Sequence, residues 1–287
     1  MKYIHFSGLL LICLFLTGFS SCKKKDKEEP EVPGQVIYNQ SYGTDPRHVM
    51  DVHLPENRSY DSTKVMIYIH GGGWTGGDKH ELTGLLSTFK QYLPGYALIG
   101  INYRLCSSDP YTNGFPSQEE DVLLAVNYIK SKCAEWNISP NHITLTGSSA
   151  GGHLALLHAY KNNSDHTIKA VAAFYAPTHL AQGYDDLPAS KASIEFVTGG
   201  TPSEVPDIYF ESSPINYTST AIPSILFHGN TDNVIPVQQT MWLADSLNAK
   251  GKTVYSWIVP AEGHGFSSLK MAEAIQRIGT FFSTNNP

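Results

Sequence analysis

Five consecutive residues, Gly147-Ser148-Ser149-Ala150-Gly151, carry the strongest chemical signal in the chain. They follow a short apolar stretch, His142–Thr146, and precede a stretch of helical character, Gly152–Tyr160. Strand, Gly-x-Ser-x-Gly, helix is the setting in which a serine stands on a sharp turn with its Oγ exposed at the end of a strand. The turn is so tight that small residues must flank the serine. A serine hydroxyl is a poor nucleophile unless a neighbouring imidazole removes its proton as it attacks. The pattern therefore asks for a histidine, and for a carboxylate to orient that histidine.

The chain holds 12 histidines, and their settings separate them. His264, in Gly263–Phe266, follows the last predicted strand and precedes the last predicted helix, where the base is expected. His70 opens the run His70-Gly71-Gly72-Gly73 and is expected to order that loop by hydrogen bonding. His153 lies one helical turn past Ser149, pointing away from it, and His228 ends a strand ahead of Asp232. Asp232 follows the predicted strand Ser224–Phe227 and is expected to hold the His264 tautomer and stabilise the imidazolium that forms. The structural alternative for Asp232 is an Asx-turn role within Asn230–Asn233. Glu262 competes for the carboxylate role but sits two residues from His264 in the same loop. Gly71–Gly73 allow backbone to approach a substrate without Cβ clashes. Backbone N–H groups are what a tetrahedral intermediate's negative oxygen requires. Trp74 either walls the pocket or belongs to the core.

The elements that must position these residues are legible as patterns. Val36–Tyr42 and His48–Leu54 alternate and predict an antiparallel hairpin at one sheet edge. Val65–Ile69, Ala97–Ile101, Ile143–Leu145, Ala170–Phe174, Ser224–Phe227 and Thr253–Val259 follow as strands. Several are nearly continuous in apolar residues, as strands buried on both faces should be. Helices are predicted between them at Leu82–Leu93, Gln118–Cys133, Gly152–Tyr160, Val237–Ala249 and Ser267–Phe282. Asp78 and Glu81 form a capping-box signature ahead of the first. Alternation of strands and helices means an α/β class with a mostly parallel central sheet, helices on both faces and an antiparallel N-terminal edge. The irregular segment 177–222 is expected to form part of the pocket rather than a second domain.

The order Gly loop, Ser, Asp, His is that of α/β-hydrolases, and here the chain resembles a known family. It looks like a secreted carboxylesterase of the hormone-sensitive-lipase-like kind, most similar to the branch holding acetyl-xylan and feruloyl esterases. The resemblance spans roughly Val36 to the C-terminus. It rests on Ile69–Asp78, Asn102–Leu105, Thr146–His153, His228–Asp232 and Glu262–Phe266. It implies the α/β-hydrolase fold, with Gly72, Gly73 and Ala150 donating N–H groups to the oxyanion. It also suggests an Arg104–Asp121 pair bracing the loop behind the site. The implied reaction is ester hydrolysis through an acyl-enzyme on Ser149, with no metal or cofactor, acting on a small-molecule or polysaccharide ester. A triad does not separate esters from amides, so a formamidase or acyl-peptide hydrolase is the alternative within this chemistry. A surface binding protein on a catalytically dead scaffold is the alternative outside it.

At 287 residues with 41% hydrophobic content, the chain can form one large α/β domain. A net charge of −6 with no basic block in the body of the chain gives no reason to expect nucleic acid. Lys2, the apolar run Leu9–Leu16 and the small-residue region before Cys22 read as a signal peptide over residues 1–21. Phe19-Ser20-Ser21-Cys22 resembles a bacterial lipoprotein signal with Cys22 as the lipidated residue, implying an exported protein anchored to membrane at the cell envelope or surface. Residues 22–34 carry four lysines, four acidic residues and almost no apolar side chains, the composition of a flexible tether. The catalytic domain is expected over 35–287. Cys106 follows a predicted strand and Cys133 lies near the far end of the next helix, about 24 Å of helix away. A disulfide needs Cα atoms within about 7 Å, so two separate thiols are expected. No Cys/His spacing resembles a zinc site, and the oligomeric state is left open.

Overall fold

Five largely apolar runs are buried at every residue but Lys169, because helices cover both of their faces. In the computed structural model, which describes residues 1–3, 32–108, 111–182, 184 and 190–287, these are the central strands of one sheet. They are β3 (Val65–Ile69), β4 (Ala97–Ile101), β7 (Ile143–Ser148), β8 (Ile168–Phe174) and β9 (Ser224–Gly229). With β1 (Gln35–Ser41), β2 (Val49–Leu54) and β10 (Val254–Val259) they form eight strands in the order β1-β2-β4-β3-β7-β8-β9-β10. The pairs β1/β2 and β2/β4 are antiparallel, and the remaining pairs are parallel. The expected antiparallel N-terminal edge is present. A two-stranded ribbon, β5 (Ser107–Ser108) with β6 (Tyr111–Thr112), was not anticipated. Two residues per strand give period-2 alternation nothing to repeat.

The alternation of each strand divides the core in two. Val65, Ile67 and Ile69 point into the cluster shared with α2 (Ser117–Trp136), α3 (Ala150–Lys161) and α6 (Gln238–Ala249). Met66 and Tyr68 point into the opposite cluster, with Leu82 and Phe89 of α1 (Glu81–Tyr92) and Ala274, Ile275 and Ile278 of α7 (Ser268–Asn285). Between β8 and β9 the segment 177–222 contributes α4 (Lys191–Thr198), α5 (Pro206–Glu211) and a 3-10 turn at Pro214–Tyr217.

The chain divides after Glu31, and Val32–Pro287 forms one compact unit. Cys22 and most of the predicted signal and of the predicted tether lie outside the described residues. Cys106 and Cys133 are buried, free thiols, as the strand-to-helix separation required. The capping box does not form. His80 is the residue at the start of α1, with no side-chain cap. Asp78 Oδ1 does accept the His80 N–H at 3.1 Å, but Glu81 turns away from the helix end toward the Ser148 turn, where three other donors claim it. Arg104 and Asp121 pair as expected, Nη2 to Oδ1 at 2.6 Å, and Asp121 Oδ2 also accepts the Arg104 N–H at 2.7 Å.

Candidate active site

Ser149 sits between β7 and α3 with φ 50° and ψ −120°. That is left-handed backbone which a non-glycine residue adopts only when its surroundings force it. The forcing is visible in the flanking glycines. A Cβ on Gly147 would lie 2.5 Å from the Gly151 carbonyl carbon, and one on Gly151 would lie 2.1 Å from the Ile69 oxygen. Turn, helix and β3 therefore close on each other only without side chains at those two positions. The Ser149 N–H is anchored to the Phe174 carbonyl at 2.8 Å.

The loops after β9 and β10 bring the other two residues to it. His264 Nε2 is 2.9 Å from Ser149 Oγ, and His264 Nδ1 is 2.8 Å from Asp232 Oδ2. The two readings of Asp232 turn out to be compatible, because its oxygens divide the work. Oδ1 accepts the Val234 and Ile235 N–H groups at 2.8 and 2.9 Å, and Oδ2 faces His264. Burial alone would raise the Asp232 carboxyl. Hydrogen bonds from His228, His264 and the Ile235 N–H override it and hold Asp232 well below the usual carboxylate range, so it stays ionised. Glu262 takes no part in this relay. It accepts the Ser267 N–H at 2.8 Å and the Ser267 hydroxyl at 2.5 Å, at the start of α7. His264 also packs on the ring of Tyr175, with centroids 4.8 Å apart.

His228 is closer to this chemistry than the sequence suggested. Its Nε2 is 2.8 Å from the Ile235 carbonyl and 3.2 Å from Asp232 Oδ2. Both are acceptors, so Nε2 carries the proton, and Thr240 Oγ1, 2.8 Å from Nδ1, donates to the other nitrogen. Asp232 is thus held between two imidazoles. The spacing of His228 four residues before Asp232 was the available signal, though strand-end histidines are commonplace.

The glycine loop is pinned at its first peptide and open after it. Gly71 N–H donates to Glu81 Oε2 at 2.9 Å, and His70 Nδ1 donates to the Gly71 carbonyl at 2.7 Å. Tyr103 stacks on His70 with centroids 4.3 Å apart and donates its hydroxyl to the His70 carbonyl at 3.0 Å. Arg47 Nη2, 3.2 Å from His70 Nε2, donates to it and also to the Gly77 carbonyl at 2.9 Å. His70 therefore orders the loop as expected, in its neutral form. Burial, reinforced by Arg47, lowers its pKa to about 4. Gly72 and Gly73 have φ of 102° and 58°, and no acceptor among the described residues takes their N–H groups. Ala150 is the first residue of α3, where N–H groups have no intrahelical acceptor. Trp74 is 3% exposed and meets His153 edge-on at 5.2 Å, yet it also borders the cavity, so wall and core are one role. His153 points away from Ser149, to the Ser212 carbonyl.

Glu81 is the residue the sequence reading misassigned. Its Oε1 accepts the Ser148 hydroxyl at 2.5 Å and the Tyr68 hydroxyl at 2.8 Å, while Oε2 holds Gly71. One carboxylate thus joins the serine turn to the glycine loop and settles which amides remain unclaimed. Glu81→Ala is expected to lower kcat on short esters about tenfold with little change in KM, since water can replace only part of that tie. An unchanged kcat, measured at a temperature where the variant is folded, would remove Glu81 from this role.

Around Ser149 lies a cavity of about 390 Å³ bounded by the glycine loop, Trp74, Tyr175, Pro177, Ser190, Ser193, Val234, Ile235 and His264. The segment 177–222 contributes to it, as expected. His153 and His158 share with His70 a pKa lowered to about 4 by burial. Protonation of these three favours the unfolded chain between their unfolded value near 6.5 and about 4. Their stabilisation is complete above about pH 6.5 and is lost as pH falls toward 4. The expected result is a fall in Tm of more than about 10 °C between pH 7 and pH 4.5, read by scanning calorimetry. A flat profile over that range would contradict it.

The solved structures most similar to this fold include a truncated carbohydrate esterase from gut microbiota, with TM-score 0.75 and 24% identity over 88% of this chain and 96% of that one. An acetyl ester-xyloside bifunctional hydrolase from Caldicellulosiruptor lactoaceticus aligns with TM-score 0.69 and 24% identity over 88% of this chain and 97% of that one. In sequence, the chain is 27% identical over 247 residues to Esterase LipC of Mycobacterium tuberculosis, covering 79% of this chain and 59% of LipC. It spans little more than half the length of the curated mycobacterial relatives it matches. The profile of the BD-FAE family matches residues 50–247, from within β2 to the last turn of α6, and so takes in the glycine loop, the Ser149 turn and Asp232. With the sheet order, the strained serine turn and that match over most of its length, the chain belongs to the BD-FAE family of the α/β-hydrolase fold.

Proposed function

We propose that this protein is a serine carboxylic-ester hydrolase that removes short acyl or feruloyl groups from carbohydrate. The observation that carries the reading is the unbroken relay from Ser149 Oγ through His264 to Asp232 beside a glycine loop with unclaimed amides. His264 Nε2 takes the Ser149 proton as Oγ attacks the ester carbonyl. The carbonyl oxygen becomes an alkoxide, received by the N–H groups of Gly72, Gly73 and Ala150, and the positive end of α3 adds to their pull. Collapse of the intermediate expels the alcohol, which leaves with the proton from His264. Water, deprotonated by the same imidazole, then attacks the acyl-enzyme and releases the acid. Apart from the substrate and that water, each step uses side chains and amides of this chain. A binding protein on a dead scaffold would have no need of a fully ionised Asp232 behind a correctly faced imidazole.

Two considerations support a carbohydrate ester. Similarly folded proteins are described as a carbohydrate esterase and an acetyl ester-xyloside hydrolase. The cavity is also small, and the hydroxyls of Ser190 and Ser193 border it, which suits a short acyl group better than a long apolar chain. The test is an acyl-length series of p-nitrophenyl esters, followed by acetylated xylan and methyl ferulate. Activity confined to long-chain esters, or to amides, would defeat the reading. Export and anchoring through Cys22 belong to the same proposal. Partition of the full chain into detergent, lost in Cys22→Ser, is the matching measurement.

A further inference from the structure

A second cavity, of about 430 Å³, lies on the other side of α4 from the candidate active site. Tyr111, Ala192, Glu195, Phe196, Gly199 and Gly200 line it. The helix is the shared wall. Ser193 borders the Ser149 cavity, and its Oγ is 3.6 Å from where a Gly73 Cβ would stand. Ala192, Glu195, Phe196 and Gly199 follow the spacing that places residues on a single helical face, and that face is turned to the second cavity. Tyr111 of the ribbon β5–β6 borders it, and the cavity is open to solvent. The Cys106 N–H, just before the ribbon, donates to the Trp74 carbonyl at 2.9 Å, and the Cys106 thiol meets the Phe196 carbonyl at 3.8 Å. The ribbon is therefore tied both to the glycine loop and to α4. Both cavities lie beyond the carboxyl ends of the strands, where open α/β sheets bind their ligands.

The lining of the second cavity has a definite chemical character. Tyr111 is 51% exposed despite its size, and its ring meets Phe196 edge-on with centroids 5.6 Å apart. The Glu195 carboxylate makes no hydrogen bond or ion pair with any described residue. At the end of α4, Gly199 has φ 85°, and a Cβ there would come within 3.4 Å of the Tyr111 hydroxyl. Aromatic carbon, an uncommitted carboxylate and a side-chain-free backbone floor do not suit an apolar chain. They suit a ring with an apolar C–H face and a rim of hydroxyl donors. A pyranose has that form: its C–H face would cover the exposed Tyr111 ring, which Phe196 holds edge-on, and its hydroxyls would donate to the carboxylate.

We infer that this cavity is a sugar subsite for the alcohol half of the substrate, so that an oligosaccharide whose ester carbonyl is presented to Ser149 crosses α4 and is held at Tyr111 and Glu195. The inference rests on the carbohydrate-esterase reading and adds to it where the glycan lies and which residues select for it. Because these residues are remote from the reacting carbonyl, they act on glycan affinity and leave the bond chemistry alone.

The test compares Tyr111→Ala and Glu195→Gln with the unaltered protein on p-nitrophenyl acetate, acetylated xylose and an acetylated xylo-oligosaccharide. Both variants should stay within about twofold on the first two substrates. Both should lose about tenfold in kcat/KM on the oligosaccharide, through KM, which corresponds to roughly 1.4 kcal/mol. Equal losses on all three substrates, or none on the oligosaccharide, would overturn the subsite. If the unaltered protein hydrolyses p-nitrophenyl acetate but not the oligosaccharide, the carbohydrate reading itself fails and the subsite falls with it. Glu195→Gln, on the half-buried face of a helix, guards against a result caused by misfolding of the Tyr111 variant.

Discussion

Ser149→Ala should lower kcat/KM for p-nitrophenyl acetate on the order of 10⁴-fold or more, with the fold intact. Among the described residues, this is the hydroxyl that lies within hydrogen-bond reach of His264 Nε2, and its removal takes away the nucleophile that the imidazole activates. His264→Ala should produce a similar loss, because an unassisted hydroxyl at neutral pH is hardly a nucleophile. The double variant should be little worse than either single one, since the residues work as a unit. What activity is left would come from the Gly72, Gly73 and Ala150 amides and from substrate binding. A fluorophosphonate probe should label the unaltered protein at Ser149 and fail to label Ser149→Ala. Losses that multiply in the double variant, or labelling that survives removal of the hydroxyl, would mean that another residue is the nucleophile.

Asp232→Asn should cost about 10³- to 10⁴-fold in kcat while conserving volume. Asp232 Oδ2 now accepts from His264 Nδ1, which leaves Nε2 unprotonated toward Ser149. The asparagine oxygen would remain with the Val234 and Ile235 N–H groups, which need an acceptor. Its NH2 would then face His264 and turn the imidazole to the other tautomer, with a proton directed at Ser149. The same NH2 would oppose the His228 N–H, a donor buried with no room to move. A stability loss of about 1–3 kcal/mol should accompany the kinetic one. Kinetics and thermal melting of the same preparation separate the two effects. Activity within about tenfold of the unaltered protein would show that orientation of His264 does not depend on Asp232.

The α/β-hydrolase fold of this chain and its resemblance to carboxylesterases were largely legible before any coordinates. Strands that are apolar without alternation announced a sheet covered on both faces, and the structure places helices on each. The small-residue turn around Ser149 was legible for a related reason: its steric demand falls on residues adjacent in sequence. Glu81 was not legible. As the first residue of α1, three positions after Asp78, it matches a capping pattern that local chemistry favours, but its partners are Ser148, 67 residues away, and Tyr68 on β3. A carboxylate goes to the strongest set of donors, and only the folded chain brought those donors to it.

The types and order of the reacting groups, and the small residues that let a serine stand on its turn, were written locally in the chain, because tight backbone geometry excludes side chains wherever it occurs. Which carboxylate serves which donor was decided in three dimensions. Asp232 came to lie between two histidines, Glu262 was drawn to a helix start, and Tyr111 and Glu195 came to border one cavity. Steric constraints act between neighbours in sequence, whereas hydrogen bonds and cavities are made between segments that meet only after the sheet has formed.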